Sequence, residues 1–129
     1  MTPLKVVCGI IYNNEQIFIC RRNTHKSLAG HWEFPGGKLE PGEEEADCLR
    51  RELLEELGMK VIVENHFKTV IHHYGTFTIE LIAYTCRFLA ASYHLTDHDR
   101  CEWIDKTALC KKLLAPADVP IAQALAAIS

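Results

Sequence analysis

Residues 36–59, GGKLEPGEEEADCLRRELLEELGM, constrain this chain more than any other stretch. A double glycine and a short connection lead into a segment where Ala46, Leu49, Leu53 and Leu57 recur at three- and four-residue steps, the spacing of one buried helical stripe. Glu43, Glu44, Glu45 and Asp47 crowd the expected first turn, where the helix dipole favours negative charge. Gly58 stands where a left-handed stop residue belongs. The pattern predicts a helix from about Glu43 to Leu57.

Helix stability alone gives no reason for Glu52, Glu55 and Glu56 to stand together, because residues three and four apart share a face. Two unit charges about 5 Å apart repel by roughly 3 kcal/mol at an effective dielectric near 20, so converging carboxylates require a cation. Carboxylate and carbonyl oxygens are hard donors that suit Mg²⁺ or Mn²⁺, and Mg²⁺ tends to bridge to substrate phosphates. An acidic helix face is also an ordinary solvated face, so the three glutamates alone leave both readings open.

Order and spacing around them narrow the choice. Gly37, five residues, Glu43, seven residues, Arg51-Glu52-Leu53, one residue, Glu55-Glu56, one residue, Gly58 and apolar Met59 resembles the Nudix box, with every fixed position filled. Upstream, Ile10-Ile11, Cys20-Arg21-Arg22 and Trp32-Glu33-Phe34-Pro35 resemble the MutT-type branch of that family. The resemblance implies an α+β Nudix fold, a mixed β-sheet between helices, and a hydrolase dependent on a divalent metal. It further implies that Glu52, Glu55, Glu56 and the Gly36 carbonyl hold Mg²⁺ or Mn²⁺, that Arg51 orients a neighbouring glutamate, and that Lys38 can offset phosphate charge. Arg22, Glu33 and Phe34 fall on the substrate side by the same resemblance, Arg22 at the place of an arginine that reaches the bound nucleotide.

Two later positions are drawn in the same way. Six residues before Trp103, Asp97 stands where MutT-like enzymes carry a glutamate near the metal, one methylene longer; Asp99 and Glu102 are its rivals. Asp118, in Leu114-Ala115-Pro116-Ala117-Asp118, matches the place of an asparagine that reads the base in MutT, and family members acting on CTP carry an aspartate in a similar string. An ionised aspartate only accepts hydrogen bonds, which suits the N4 amino group of cytosine and opposes O6 of guanine. The plain structural role for Asp118 is an N-cap ahead of Pro120.

The implied reaction is hydrolysis of a nucleoside triphosphate to the monophosphate and pyrophosphate, with CTP, dCTP or a modified pyrimidine triphosphate favoured. An 8-oxo-dGTP diphosphatase of MutT type is the alternative. A Nudix domain that only binds nucleotides is the alternative of another class.

Composition limits the remaining possibilities. At 129 residues the chain is expected to form one domain, residues 1–129, as a monomer or else a homodimer. A net charge of −3 supplies no basic field for a nucleic-acid polymer or a membrane, so the partner expected is a small nucleotide. No apolar run approaches about 20 residues and no signal-peptide pattern is seen, so a cytoplasmic location is expected. Six scattered cysteines without a CxxC pair argue for buried reduced thiols, and the seven histidines, without HExxH, for surface or rim positions. A hairpin is expected from Val6–Ile11 and Gln16–Cys20 around Asn13-Asn14, and a second from residues 60–74 and 76–88 around Gly75. Residues 96–100 read as a polar loop, 101–104 as a short strand, 105–113 as a short helix begun by Asp105, and 119–128 as a last helix buried on Ile121, Leu125 and Ile128.

Overall fold

The computed structural model describes residues 2–94 and 98–128. Among them, one mixed sheet is built from β1 (Leu4–Asn13), β2 (Gln16–Arg22), β3 (Trp32–Glu33), β4 (Gly36–Lys38), β5 (Met59–Tyr74), β6 (Phe77–Ala91) and β7 (His98–Asp105). Helices α1 (Glu45–Leu57) and α2 (Val119–Ala126) complete the chain with two 3₁₀ segments, Lys106–Lys111 and Pro116–Asp118.

Alternation along the central strands assigns each residue to a layer. Val7 and Ile11 of β1 and Phe18 and Cys20 of β2 face α1, where Cys48, Leu49, Leu53 and Leu57 are buried. Cys8 and Ile10, with Ile17 and Ile19, face the opposite way and meet Leu109, Ile121, Ala122 and Leu125. Fully burying a side chain of this size contributes about 1.5–3 kcal/mol, so two apolar faces hold the sheet between α1 and α2.

β1 runs parallel to β6 from Leu4 opposite Ile79 to Tyr12 opposite Arg87. Its other edge is shared. β4 pairs with Val6–Cys8, whereas β2 pairs only at Tyr12 and Asn13 before it diverges to lie between β3 and β7. The sheet therefore opens between β1 and β2, and the cavity described below is lined from both sides of that opening, by Val6 and Cys8 on one side and Arg22 and Glu33 on the other.

Several local expectations shift. α1 begins at Glu45 instead of Glu43, because the Glu43 carboxylate turns back to accept from the Glu40 N–H and from Arg51. Cys48 joins the buried stripe while Ala46 is only half-buried. Gly58 does end the helix, with φ +60° and its N–H on Leu54 O. The first hairpin turns on Asn14 and Glu15, both with positive φ, since Asn13 is already paired with Gln16. Residues 98–100 are strand, held by pairing with β2, and the expected helix over 105–113 is the shorter 3₁₀ segment. Helix α2 stops at Ala126, which leaves Ile128 exposed. All six cysteines are free; Cys8, Cys20, Cys48 and Cys86 are buried, Cys101 is half-buried and Cys110 exposed. No helix among the described residues is long and apolar enough to cross a membrane.

Candidate active site

Gly36 and Gly37 place the edge of the site by their lack of side chains. A double glycine serves either close backbone approach or a turn with positive φ; neither residue here has positive φ, and both are strand residues that permit close approach. A Cβ on Gly36 would fall 1.9 Å from the Val7 carbonyl oxygen, and one on Gly37 would fall 2.2 Å from Cδ of Glu52. Gly9 N–H donates to Pro35 O and Leu39 N–H to Lys5 O, so in the alternating ladder Gly36 sits where its carbonyl is turned away from β1.

On the facing turn of α1, Arg51 gathers the acids. Its Nε and Nη2 fork onto Glu43 at 2.8 and 3.0 Å, and Nη1 reaches Glu52 Oε1 at 2.9 Å and Glu55 Oε2 at 3.3 Å. The guanidinium hydrogen bonds hold the Glu43 carboxyl down at about 2, and the same contacts raise the pKa of Arg51. Glu52 is thus fixed from two sides, by Arg51 on Oε1 and by the bare Gly37 against Oε2.

Beside this edge opens a cavity of about 850 Å³, lined by Gly36, Gly37, Lys38, Glu52 and Glu56 and also by Phe34, Tyr74, Ala117 and Asp118. Arg22 and Glu33 also line it. Of the residues singled out in the sequence, Glu55 and Arg51 lie outside this lining, and the Glu55 side chain is 61% exposed. Asp97 falls outside the described residues. Its rivals do not line the cavity: Asp99 pairs with Arg21 at 2.7 Å and Glu102 with Lys112.

Does this donor set suit a divalent ion? Among the described residues no three His, Cys, Asp or Glu side chains converge as a ready-made cage. The groups that do face the cavity, the carboxylates of Glu52 and Glu56 beside the Gly36 carbonyl, are all hard oxygen donors. Such a sparse oxygen set fits an ion like Mg²⁺, which takes one or two carboxylates and completes its shell with water and phosphate.

A buried acid also lines the cavity. Asp118 is 5% exposed, and its Oδ2 accepts the Phe34 N–H at 2.9 Å. It occupies the position before α2 but makes no side-chain cap, so the N-cap role is replaced by this long-range bond. Burial, reinforced by the nearby Glu33 charge, pushes its pKa well above the usual carboxylate range. Tyr74 packs beside it, its hydroxyl accepting the Ala117 N–H at 3.3 Å.

His98 was not singled out in the sequence, where the histidines were expected at surface or rim positions. It is buried, lines the cavity and places Nε2 2.8 Å from Glu33 Oε2, while Arg22 Nη1 donates to Glu33 Oε1 at 3.0 Å. Its only sequence signal was its neighbour Asp97; burial comes from the strand pairing that a run of polar residues concealed.

A family model described as the NUDIX domain matches residues 6–124. A CTP pyrophosphohydrolase of Escherichia coli strain K12 is 31% identical over 128 residues, covering 99% of this chain and 95% of the relative. A putative 8-oxo-dGTP diphosphatase 2 of Mycobacterium tuberculosis is 35% identical over 116 residues, 88% of this chain and 81% of its own. The solution structure of the E. coli ORF135 protein superposes with a TM-score of 0.83 at 31% identity, over 96% of this chain and 89% of the other.

Proposed function

Because the chain belongs to the Nudix hydrolase family, we propose that it cleaves a nucleoside triphosphate to the monophosphate and pyrophosphate, with a pyrimidine triphosphate such as CTP or dCTP favoured. The observation that carries this reading is that one cavity is lined both by Glu52 and Glu56 and by Phe34, Tyr74 and Asp118. Its volume is that of a site able to enclose a whole nucleotide.

In this reading Glu52 and Glu56, with the Gly36 carbonyl and with Glu55 from the rim, hold the divalent ion, Mg²⁺ or Mn²⁺. When bound, that ion supplies charge neutralisation for the polyphosphate and lowers the pKa of water. Arg51 keeps Glu52 in place through Oε1. Glu52 Oε2, the oxygen that Arg51 leaves, accepts the proton of the attacking water; Asp97 is the alternative acceptor. Lys38 and Arg22 offset phosphate charge along the cavity wall.

Beside the base, burial raises the pKa of Asp118 and so favours its neutral form, which changes the selection argument. A protonated carboxyl offers one donor and one acceptor, so it can meet N3 and N4 of cytosine together. It equally meets O6 and N1 of guanine, which gives 8-oxo-dGTP a second reading on the same observation. The preference for a pyrimidine therefore leans on likeness to the CTP pyrophosphohydrolase along nearly the whole chain.

Pyrophosphate release from a panel of CTP, dCTP, UTP, GTP and 8-oxo-dGTP with Mg²⁺ or Mn²⁺ tests the reading. The highest kcat/KM is expected for a cytosine triphosphate. Fastest turnover of 8-oxo-dGTP selects the second reading, and binding without turnover of any member would make the chain a nucleotide-binding domain.

A further inference from the structure

β3, β2 and β7 lie side by side, and each sends one polar side chain into the same corner of the cavity. Glu33 on β3 is opposite Cys20, and His98 on β7 is opposite Arg22, so acid and imidazole flank the strand that carries the guanidinium. The register shift between Arg21 and Arg22 falls at this corner, and a bulge of this kind re-aims side chains. Glu33 is consequently gripped from both sides, by Arg22 Nη1 on Oε1 at 3.0 Å and by His98 Nε2 on Oε2 at 2.8 Å.

The imidazole is too deeply placed for a chance surface contact. Its side chain is 2% exposed, and Nδ1 has no hydrogen-bond partner among the described residues. Glu33 as a carboxylate only accepts, so the hydrogen belongs on Nε2 and Nδ1 is left as a bare lone pair. A buried N–H without a partner is the rarer and costlier defect, which favours this same tautomer.

We propose that His98 is a positioning residue for substrate selection: its Nε2–H fixes the Glu33 carboxylate, with Arg22 on the other oxygen, so that the lone pairs left over receive a donor hydrogen of the nucleoside. The proposal rests on the reading that this cavity holds a nucleotide. A carboxylate held by one donor turns freely about its last torsion, which is broad; a second donor from the opposite side sets its plane. About four lone-pair sites are available, two are taken, and the rest can only accept. The ligand group selected is thus a donor, a sugar hydroxyl or an exocyclic amine.

Steady-state kinetics of the full chain with CTP, dCTP and UTP, and with 8-oxo-dGTP in parallel, provides the first test. His98→Leu is expected to raise KM about tenfold or more, the loss of one hydrogen bond to a charged group, with kcat within threefold. His98→Gln, whose amide N–H replaces Nε2–H, should bring KM back within threefold, whereas His98→Asn should not. A CTP/UTP ratio that collapses in His98→Leu identifies the amine as the donor; a CTP/dCTP ratio that collapses identifies the 2′-hydroxyl. Equal behaviour of the Leu and Gln variants, or a fall in kcat at constant KM, overturns the proposal. Nitrogen-15 histidine spectra of the unmodified protein give a readout free of activity and of variant folding. A hydrogen on Nε2 with bare Nδ1 is expected, and a hydrogen on Nδ1 overturns the proposal. Should the wild type hydrolyse no triphosphate, the functional reading falls while these spectra still decide how Glu33 is held.

Discussion

Two adjacent glycines on β4 should fail in different ways when each gains a methyl group. At Gly37 the new Cβ would lie 2.2 Å from Glu52 Cδ and 2.3 Å from its Oε2. Ordinary contact begins near 3.4 Å, so the carboxylate must retreat by that figure less 2.2 Å, about 1.2 Å. The obstructing atoms end a side chain, so the backbone need not move; what is lost is the 2.9 Å bond to Arg51 and the position of Oε2. Displacing a reacting or positioning group by about 1 Å can cost on the order of a hundredfold in rate. The partly exposed ion pair it disturbs is worth only about 1 kcal/mol. At Gly36 the obstruction is backbone, with Val7 O at 1.9 Å and the Cys8 Cα at 2.7 Å, so β4 would have to leave β1. That places Gly36→Ala among severely destabilising changes, roughly 3–5 kcal/mol. Urea melts followed by pyrophosphate release at saturating substrate separate the two. Gly37→Ala should stay folded with kcat down about a hundredfold, and Gly36→Ala should lose stability first. A folded Gly37→Ala protein with kcat within threefold of wild type would refute the placement of Glu52 in the chemistry.

Two further outcomes follow from the same geometry. Glu56→Gln removes one negative charge at the cavity without changing shape, and turnover should drop by about a hundredfold or more while Tm moves by only about 2–3 °C; unfolding of this variant would make Glu56 a structural residue instead. Asp118→Asn tests the buried acid through pH. The folded pKa of Asp118 is raised, so its contribution to stability is fully present below the unfolded value near 3.9 and is lost as pH rises toward the folded pKa. Over that window the wild type should lose up to about 1.4 kcal/mol per pH unit from this group, Glu33 and Arg22 being the charges that face it. Asparagine keeps an acceptor for the Phe34 N–H and carries no proton, so its urea midpoint should fall less steeply above pH 4. Equal slopes would mean that Asp118 is ionised in the folded protein.

How much of this could be read in advance depends on whether the signal was local. The α1 stripe, its Gly58 stop and both hairpins are written in neighbouring residues, and they stand within about three residues of where periodicity put them. What escaped was set by distant pairing. His98 sits in a run of polar residues and becomes buried only because β7 zips onto β2, and Asp118 has every mark of a helix cap until Phe34, 84 residues away, offers it an N–H. The double glycine shows the same limit from another side. A Gly-Gly pair suggests a turn, yet here the constraint is the nearness of Val7 and Glu52, which no short window of sequence contains.

The acid cluster also yields a more exact electrostatic argument than spacing allowed. Three repelling glutamates seemed to demand a metal, but Arg51 already meets Glu43, Glu52 and Glu55 with one guanidinium, so repulsion among those three has an internal answer. Glu56 lines the cavity beside Glu52, and Lys26 and Lys38 line it with them. The case for a divalent ion therefore rests not on repulsion along the whole acidic face but on the hard oxygen donors that line the cavity, Glu52, Glu56 and Gly36. Arg51 takes a different part: by pairing with Glu43 and Glu55 while it grips Glu52, it holds Glu52 in place and reduces the negative charge that a polyphosphate meets at this helix.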